Sequence, residues 1–276
     1  MTLRYDLHCH SAYSDGVLTP TALVERAAAR GVDVLALTDH DELGGLPEAA
    51  AAARDYGVTL LAGVEISVSW AGQTLHVVGL NVDTRAAALV GGLNEIRSGR
   101  DARAQRIADE LAAAGIPGAL EGARRYAKNP QLLSRTHFAR FLVEAGHARD
   151  TSAVFRRYLV EGRPGYVPHR WATLEDAIGW IRAAGGVAVL AHPGRYKLPL
   201  WQREELLERF KALGGQAVEV VTGSHAPDEY VYWARTAQRH GLLASTGSDF
   251  HAPQEGCDLG GVPALPHGCT PVWQAL

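Results

Sequence analysis

Short apolar segments alternate with longer amphipathic segments along most of the chain. Apolar runs of strand length lie at residues 5–10, 33–38, 59–68, 75–80, 187–191, 217–221 and 242–246. Between them, "TPTALVERAAARG" and "TLEDAIGWIRAAGG" predict helices that begin at the N-caps Thr19 and Thr173. Because strand and helix alternate, we expect parallel strands, and seven of them favour a closed or nearly closed α/β barrel.

Residues 97–168 interrupt this alternation. "RSGRDARAQRIADELAAAG", "SRTHFARFLVEAG" and "TSAVFRRYLVEG" predict consecutive helices with no strand between them. We therefore expect a barrel domain made of residues 1–96 and 169–276. Residues 97–168 would form a helical insertion that contributes to substrate binding.

The insertion also changes the distribution of charge. The 276-residue chain has a net charge of −3, but residues 97–170 hold 14 Lys and Arg against 7 Asp and Glu, and the rest holds 13 against 23. An acidic frame favours divalent cations, and a basic segment favours an anionic substrate. The alternative is that the arginines lie on solvated helix faces.

The sequence contains no recognisable membrane-span or signal-peptide pattern and no cysteine motif. No apolar run reaches the roughly 18 residues of a membrane span, and "MTLRYDLHCH" contains no apolar signal core. Cys9, Cys257 and Cys269 form no spaced pattern, which is typical of a reducing compartment. We expect a cytoplasmic protein.

The stretch "DLHCHSAYSDG" at residues 6–16 contains two histidines one residue apart. In a strand, Asp6, His8 and His10 share one face, while Leu7 and Cys9 share the other. Two imidazoles roughly 6–7 Å apart on one face can bind one cation. The alternative is an edge strand with surface histidines.

Metal-ligand residue types also lie in or after the other predicted strands. They are Asp39 and His40 in "TDHDE", Glu65 in "AGVEIS", His76 in "TLHVVG", His192 in "AHPGR", and Asp249 and His251 in "STGSDFH". Because the carboxyl ends of parallel barrel strands face one rim, we expect these side chains to meet there. Their burial without cations would carry large desolvation and like-charge penalties, so the pattern predicts a divalent metal centre.

Taken together, these motifs resemble the PHP (polymerase and histidinol phosphatase) family of amidohydrolase-like barrels. The matching stretches are "DLHCHSAYSDG", "ALTDHDELGG", "LAGVEIS", "HVVG", "LAHPGR" and "STGSDFH". The insertion sequences "SRTHFARFLVEAG" and "GRPGYVP" are similar to one subgroup, the nucleoside 3',5'-bisphosphate phosphatases and the 5'-to-3' exoribonucleases of the ribonuclease AM type. The resemblance implies a distorted (β/α)₇ barrel with two or three divalent metal ions.

The resemblance also implies which residues bind the metals. Grouped by ion, they are His8, His10, Glu65 and Asp249 for the first, Glu65, His76 and His192 for the second, and Asp15, His40 and His251 for the third. Imidazole and carboxylate ligands without thiolate fit Mn²⁺, Fe²⁺ or Zn²⁺, and the resemblance favours Mn²⁺. Asp6 and Asp39 lie outside this set. We expect them to orient neighbouring histidines, although Asp39 is equally suited to capping a loop.

Catalysis would then use metal-activated water, because the chain has no GxSxG, nucleophilic-cysteine or P-loop motif. His225, which follows a predicted strand, is a candidate general acid or phosphate ligand, or else a surface-turn histidine. Arg135 and His137 open a predicted helix and Arg195 follows His192, so these three are candidate phosphate ligands. For Arg195 the alternative is an ion pair with a loop carboxylate.

The resulting hypothesis is a phosphoesterase that holds a 5'-phosphate with the insertion and hydrolyses a 3'-phosphate ester. Its substrates would be nucleoside 3',5'-bisphosphates such as pAp and short single-stranded oligonucleotides with a 5'-phosphate. The alternatives are a histidinol-phosphate-type phosphomonoesterase and a non-catalytic metal-binding module. The sequence implies no membrane association and no protein partner, and it contains no duplex-binding motif.

Overall fold

The computed structural model describes residues 3–129, 132–169 and 171–276. Seven strands form one sheet in which sequence neighbours are also spatial neighbours. They are β1 (Tyr5–Asp6), β2 (Val34–Leu37), β3 (Thr59–Trp70), β4 (Gln73–Leu80), β5 (Val187–Leu190), β6 (Ala217–Thr222) and β7 (Leu243–Gly247). After β1 the chain meets β7, where the Leu7 amide donates to the Thr246 carbonyl at 3.0 Å. The predicted distorted barrel is therefore confirmed.

Strand β4 departs from the expected direction. It pairs antiparallel with both β3 and β5, whereas the other neighbouring strands are parallel. The expectation of uniformly parallel strands is wrong here, because the link from β3 is far shorter than the dozen or more residues of a crossover. Ala71 and Gly72, with φ of 48° and 77°, make the tight turn. His76 therefore reaches the rim from the first half of β4.

Helices cover the outside of the sheet and form the insertion. In chain order they are α1 (Pro20–Ala29), α2 (Leu46–Tyr56), α3 (Ala87–Ser98), α4 (Arg100–Ala113), α5 (Ala119–Arg124), α6 (Arg135–Glu144), α7 (Thr151–Val154), α8 (Leu174–Ala183), α9 (Leu200–Ala212) and α10 (Pro227–His240). The predicted caps are present: Thr19 accepts from the Ala22 amide, and Thr173 from the Asp176 amide. Among the described residues, no helix is both long and apolar enough to cross a membrane.

The interior of the barrel has a polar end and an apolar end. Strand residues alternate between an inner cluster, with Val34, Ala36 and Val189, and outer clusters under the helices. The 3₁₀ turn Val272–Gln274 packs on the inner cluster near the C-terminus. On β3 and β6 the same inward parity orients Glu65 and Glu219 into the barrel, toward the opposite, polar end.

The insertion has a hydrophobic core of its own. Buried residues from Ala104 to Val167 form one cluster, including Leu111, Phe138 and Leu142. Helix α7 continues into a π-helical turn at Phe155–Leu159. This cluster lies within the segment predicted as the insertion.

Candidate metal centre

The structure brings the nine predicted ligand residues together at the polar end of the barrel. Their ligand atoms form four groups within which all atoms lie less than 4.8 Å apart. The groups are His10, Asp15, His40 and His251; His8, His10 and Asp249; His8, Glu65 and His192; and His40, Glu65 and His76. Six of the seven strands, or the segments that follow them, supply these side chains.

The first predicted ligand set has the dimensions of a metal cage. Nε2 of His8 and Nε2 of His10 are 3.2 Å apart, and they lie 3.2 and 3.3 Å from Glu65 Oε2. Asp249 Oδ1 lies 3.5 Å from His8 Nε2 and 3.3 Å from His10 Nε2. A regular tetrahedron with these edges has its centre roughly 2.0 Å from each atom, which is the usual metal–nitrogen and metal–oxygen distance.

Glu65 connects this cage to a second group. Its Oε1 lies 2.9 Å from both His76 Nδ1 and His192 Nε2, which are 3.3 Å apart. The third group is looser, since Asp15 Oδ1 lies 3.3 Å from His251 Nε2 and 3.8 Å from His40 Nε2. His40 also reaches Glu65, with its Nδ1 2.9 Å from Glu65 Oε2. One carboxylate therefore contacts all parts of the centre.

Buried atoms without hydrogen bonds indicate that these residues fit divalent cations. Asp15 Oδ1, His40 Nδ1 and Glu65 Oε2 are buried and make no hydrogen bond. His40 Nδ1 and Glu65 Oε2 lie 2.9 Å apart, but their relative orientation does not form a hydrogen bond. Buried polar atoms are normally hydrogen-bonded or bound to a metal, and divalent cations held by the groups that contain these residues would satisfy all three.

The protonation states of the carboxyl groups also suit metal binding. Burial alone would raise their pKa, but neighbouring imidazoles hold the pKa of Asp15, Glu65 and Asp249 well below its ordinary value. All three are therefore negatively charged at neutral pH, as metal ligands must be.

The imidazoles of the site differ from one another in pKa. Burial lowers the pKa of His10 to about 3 and that of His76 to about 4, so both rings are neutral and able to bind metal. Burial opposes protonation of His40 too, but the carboxylates of Glu65 and Asp15 outweigh it and raise the pKa to about 9. A divalent ion would replace that proton, since a ligating imidazole must be neutral.

Two of the predicted ligand residues have strained backbones. His192 and Asp249 have φ of 28° and 54°, a region that residues with a Cβ rarely occupy. Hydrogen bonds hold both: the His192 amide donates to Glu219 Oε2 at 2.5 Å, and the Asp249 amide donates to the His8 carbonyl at 2.9 Å. Such strain is typical of functional sites, where the surrounding structure maintains it.

Glu219 is a functional residue that the sequence analysis missed. Besides the His192 amide, its Oε1 lies 2.7 Å from His8 Nδ1, so it fixes that ring with Nε2 free for a metal. The signal was present in the sequence, because "AVEVVT" contains a single carboxylate within a fully buried strand.

Asp6 and Asp39 do not orient the histidines, so that expectation is wrong. Asp6 accepts from the amides of Ser248 and Gly260, both at 2.8 Å. Asp39 accepts from Ser11 and Ser14 at 2.6–2.8 Å, and the loop-capping alternative describes it correctly. Neither carboxylate is hydrogen-bonded to an imidazole within the described part of the chain.

A cavity of about 110 Å³ lies between the metal centre and the insertion. Asp15, His40, Glu65, His76, His192, Asp249 and His251 line one side. The other side includes Arg100, Arg103, Ser134, Arg135, Phe155 and Trp171. The insertion also contacts a predicted ligand directly, because Ser134 Oγ donates to Asp15 Oδ2 at 3.1 Å.

Two buried arginines of α4 were also missed. The guanidinium groups of Arg100 and Arg103 lie 4.6 and 5.2 Å from the Trp171 ring centre. Arg100 pairs with the buried Asp41, which also accepts from Ser67. Arg103 donates only to the Val167 carbonyl, at 3.2 Å, and has no carboxylate partner among the described residues. Burial, together with Arg135 and Arg100 nearby, lowers its pKa to about 9.

Arg135 and Arg195 both line the cavity, as expected for phosphate ligands. Arg135 lies over the Phe155 ring and donates to the Leu159 carbonyl at 3.2 Å. Arg195 is half exposed and its Nη1 lies 3.0 Å from Asp249 Oδ2. The ion pair proposed as its alternative role is therefore present as well.

His137 and His225 do not face the cavity. His137 is buried, and its Nδ1 accepts from the Ser134 amide at 3.1 Å as part of the N-terminal cap of α6. The His225 ring bonds at both nitrogens, accepting from the Gly194 amide at 2.9 Å and lying 3.2 Å from the Val220 carbonyl. Their positions argue against substrate binding by either and against His225 as a general acid.

Comparison with known proteins agrees with this geometry. The PHP domain model matches residues 6–221. A 3',5'-nucleoside bisphosphate phosphatase of Chromobacterium violaceum is 55% identical over 272 residues, covering 98% of this chain and 95% of its own length. The 5'-3' exoribonuclease Rnm of Escherichia coli is 45% identical over 272 residues, covering 98% and 92% respectively.

Solved structures extend the agreement. An amidohydrolase of Chromobacterium violaceum with bound sulfate superposes with a TM-score of 0.96 at 54% identity, covering 99% of this chain and 95% of that chain. Both the family model and the relatives cover most of the sequence. The chain therefore belongs to the PHP domain family of metal-dependent phosphoesterases.

Proposed function

We propose that this protein removes the 3'-phosphate of nucleoside 3',5'-bisphosphates, converting pAp into AMP and phosphate. The same cut on a 5'-phosphorylated oligonucleotide would release a 5'-mononucleotide and advance in the 5'-to-3' direction. The names of the phosphatase and exoribonuclease relatives support both activities. One observation carries the proposal: Arg103 and Arg135, which have no carboxylate partner among the described residues, line the cavity opposite the predicted metal ligands.

The two sides of the cavity have different roles, one in binding phosphate and the other in binding metal. Arg103 and Arg135 lack carboxylate partners among the described residues, so a dianionic 5'-phosphate compensates charge that the protein leaves uncompensated. The nine ligand residues hold two or three divalent ions, for which we propose Mn²⁺, with Fe²⁺ or Zn²⁺ as the other fitting ions. When bound, the ions supply Lewis-acid polarisation of the phosphoryl group and activation of water.

The protein side chains position these components. Glu219 fixes the His8 ring, Ser134 supports Asp15, and Arg195 reaches into the cavity beside Asp249. We propose that residues 97–168 form the specificity element, since this segment supplies the arginines that select a second phosphate. A histidinol-phosphate-type monoesterase would have no use for them.

A phosphate-release assay with Mn²⁺ tests the proposal. The substrates are pAp, 3'-AMP and histidinol phosphate, together with a 5'-phosphorylated dinucleotide that is followed by release of its 5'-mononucleotide, because cleavage of its internal phosphodiester frees no phosphate. We expect pAp and the dinucleotide to exceed 3'-AMP by about 100-fold in kcat/KM, because each charged hydrogen bond to the 5'-phosphate contributes roughly 1.5–3 kcal/mol. Preference for histidinol phosphate would contradict the proposal, and bound metal without turnover would support the non-catalytic alternative.

Arg135→Met examines the 5'-phosphate anchor within the same assay. The variant should lose far more activity on pAp than on 3'-AMP, which lacks the anchored group. Arg149→Met, at an exposed position paired with Asp150, serves as the matched control and should leave both substrates unaffected. Equal losses on pAp and 3'-AMP in Arg135→Met would count against the anchor.

A further inference from the structure

The N-terminal half of α6 presents three polar side chains to the turn that contains Asp15. Ser134, His137 and Arg140 recur at every third position, so they lie along one face of the helix and its cap. Ser134 Oγ donates to Asp15 Oδ2 at 3.1 Å, and the buried His137 ring interacts with the backbone of Ser14. One face of an insertion helix is therefore devoted to a turn of the barrel.

Arg140 connects this turn to a second loop. Its side chain is only 7% exposed, and its Nη1 donates to the Asp15 carbonyl at 2.6 Å. Its Nη2 donates to Glu255 Oε2 at 3.1 Å. Glu255 follows His251 in the loop after β7, and its amide donates back to the Ala252 carbonyl at 3.0 Å. A single guanidinium of the insertion thus joins the segments that carry Asp15 and His251.

These two segments supply ligand residues to the same predicted ion. Asp15 and His251 belong with His40 to the third group, which is the looser one. Ser134 contacts Asp15 through Oδ2, and Arg140 contacts it through the carbonyl oxygen. Asp15 Oδ1 is left without a hydrogen bond, 3.3 Å from His251 Nε2. The contacts from α6 therefore leave free the one oxygen that faces the other ligands.

The first two groups depend much less on the insertion. Glu65 and His76 lie within β3 and β4, and Glu219 of β6 holds the His8 ring at 2.7 Å. Asp15 instead lies in a turn, well beyond the end of β1. A ligand on a turn is oriented only as well as the contacts that hold the turn. The sheet thus orients the first two groups, whereas α6 orients the third.

We propose that Arg140 is a positioning residue that assembles the third metal group by holding the Asp15 and His251 segments together. It is not among the residues that line the metal cavity, so it acts through these ligands and not on the substrate. Arg135, which does line the cavity, begins the same helix. The inference rests on the metal centre of the proposed function and gives the insertion a role in metal binding.

Counting bound Mn²⁺ tests the proposal without any substrate. Metal-free protein is titrated with Mn²⁺, and the free ion is followed by its electron paramagnetic resonance signal. In the wild type we expect three bound ions per chain, of which the last binds most weakly. Arg140→Met should weaken that last ion by about 10–100-fold and leave the other two within about threefold. A purely structural loss would not single out one ion.

Two further variants sharpen the measurement. Arg140→Lys keeps the positive charge but replaces the two-pronged guanidinium with one ammonium, so it should weaken the last ion less than Arg140→Met does. Arg125→Met is the matched control, because Arg125 also pairs with α6, through the exposed Glu144 at 2.9 Å, but contacts neither ligand segment. It should leave all three affinities within about twofold of the wild type.

Three results would overturn the inference: a wild type that binds no third ion, an Arg140→Met variant that binds all three as the wild type does, or an equal loss of all three. If circular dichroism shows that Arg140→Met does not fold, the same criteria apply to Arg140→Lys. Phosphate release from pAp separates this inference from the proposed function. Selective loss of one ion in a protein whose wild type releases no phosphate would support the role of Arg140 and contradict only the proposed function.

Discussion

The two sides of the metal cavity both contain buried charge, but they differ in what compensates it. On the barrel side, three carboxylates and six imidazoles crowd within contact distance, and several of their atoms have no protein partner. On the insertion side, Arg103 and Arg135 are held by ring stacking and by carbonyl oxygens instead of carboxylates. One side is therefore suited to cations and the other to an anion.

Cross-pairing between the two sides is limited. Arg195, which follows β5 on the barrel side, pairs with Asp249 on the same side, and of the insertion arginines Arg100 is paired with Asp41 of the barrel. Had the arginines paired with the ligand carboxylates, both charges would be neutralised and neither metal nor phosphate would be needed. Charge kept apart is the physical basis of the binding that we propose for this site.

Removing the central carboxylate should have the largest effect. Both oxygens of Glu65 contact ligand groups, so Glu65→Gln should reduce phosphate release from pAp at least 10³-fold, equivalent to about 4 kcal/mol of lost metal-dependent stabilisation. Metal content, measured by elemental analysis, should fall in parallel. Glu175→Gln, at an exposed carboxylate of α8, is the control. A metal-replete, active Glu65→Gln would contradict the cation side of the comparison.

The next effect concerns stability on the insertion side. Arg100→Met leaves Asp41 buried without its cation, and we expect the free energy of unfolding to fall by about 3 kcal/mol, measured by urea denaturation. The double variant Arg100→Met/Asp41→Asn should regain much of the lost stability, because it no longer contains the unpaired carboxylate. If Arg100→Met were as stable as the wild type, the Arg100–Asp41 pair would contribute nothing to the free energy of unfolding.

Arg103 lies one helical turn from Arg100 and should behave in the opposite way. Arg103→Met removes a buried charge that has no carboxylate partner, so the free energy of unfolding should stay level or rise. In contrast, kcat/KM for pAp should fall about 100-fold while that for 3'-AMP changes less than about threefold. The exposed Arg106→Met is the control. Strong destabilisation of Arg103→Met would place Arg103 with Arg100 as a structural residue.

Much of the barrel could be predicted from the sequence because its signals are local. Apolar runs of strand length, Thr caps and the ligand residues at strand ends each depend on a few neighbouring positions. The direction of β4 was missed because periodicity carries no information about direction. The short link containing "AG" between two apolar runs was the signal, and a hairpin is the only connection it permits.

The partners of the ligands were harder to predict than the ligands themselves. Asp39 adjoins a ligand in sequence but bonds to loop serines, while Glu219 is 211 residues from His8 and contacts it directly. Arg103 resembles any other arginine of an amphipathic helix until the fold buries it. Which polar residue supports a site depends on tertiary contacts that sequence proximity does not encode.

The smallest expected effect tests whether Glu219 orients His8 whereas Asp39 only supports a loop. Glu219→Gln keeps the shape but weakens the bond that holds His8, so affinity for Mn²⁺ should fall about 10–100-fold in titrations of metal-free protein. Turnover at saturating metal should fall less than affinity, because the ligands themselves remain. Asp39→Asn is the matched control: it weakens a loop and should lower the melting temperature, but it contacts no imidazole and should leave metal affinity within about threefold. If the two variants lowered metal affinity equally, the role of Glu219 would be general support of the fold and not orientation of His8.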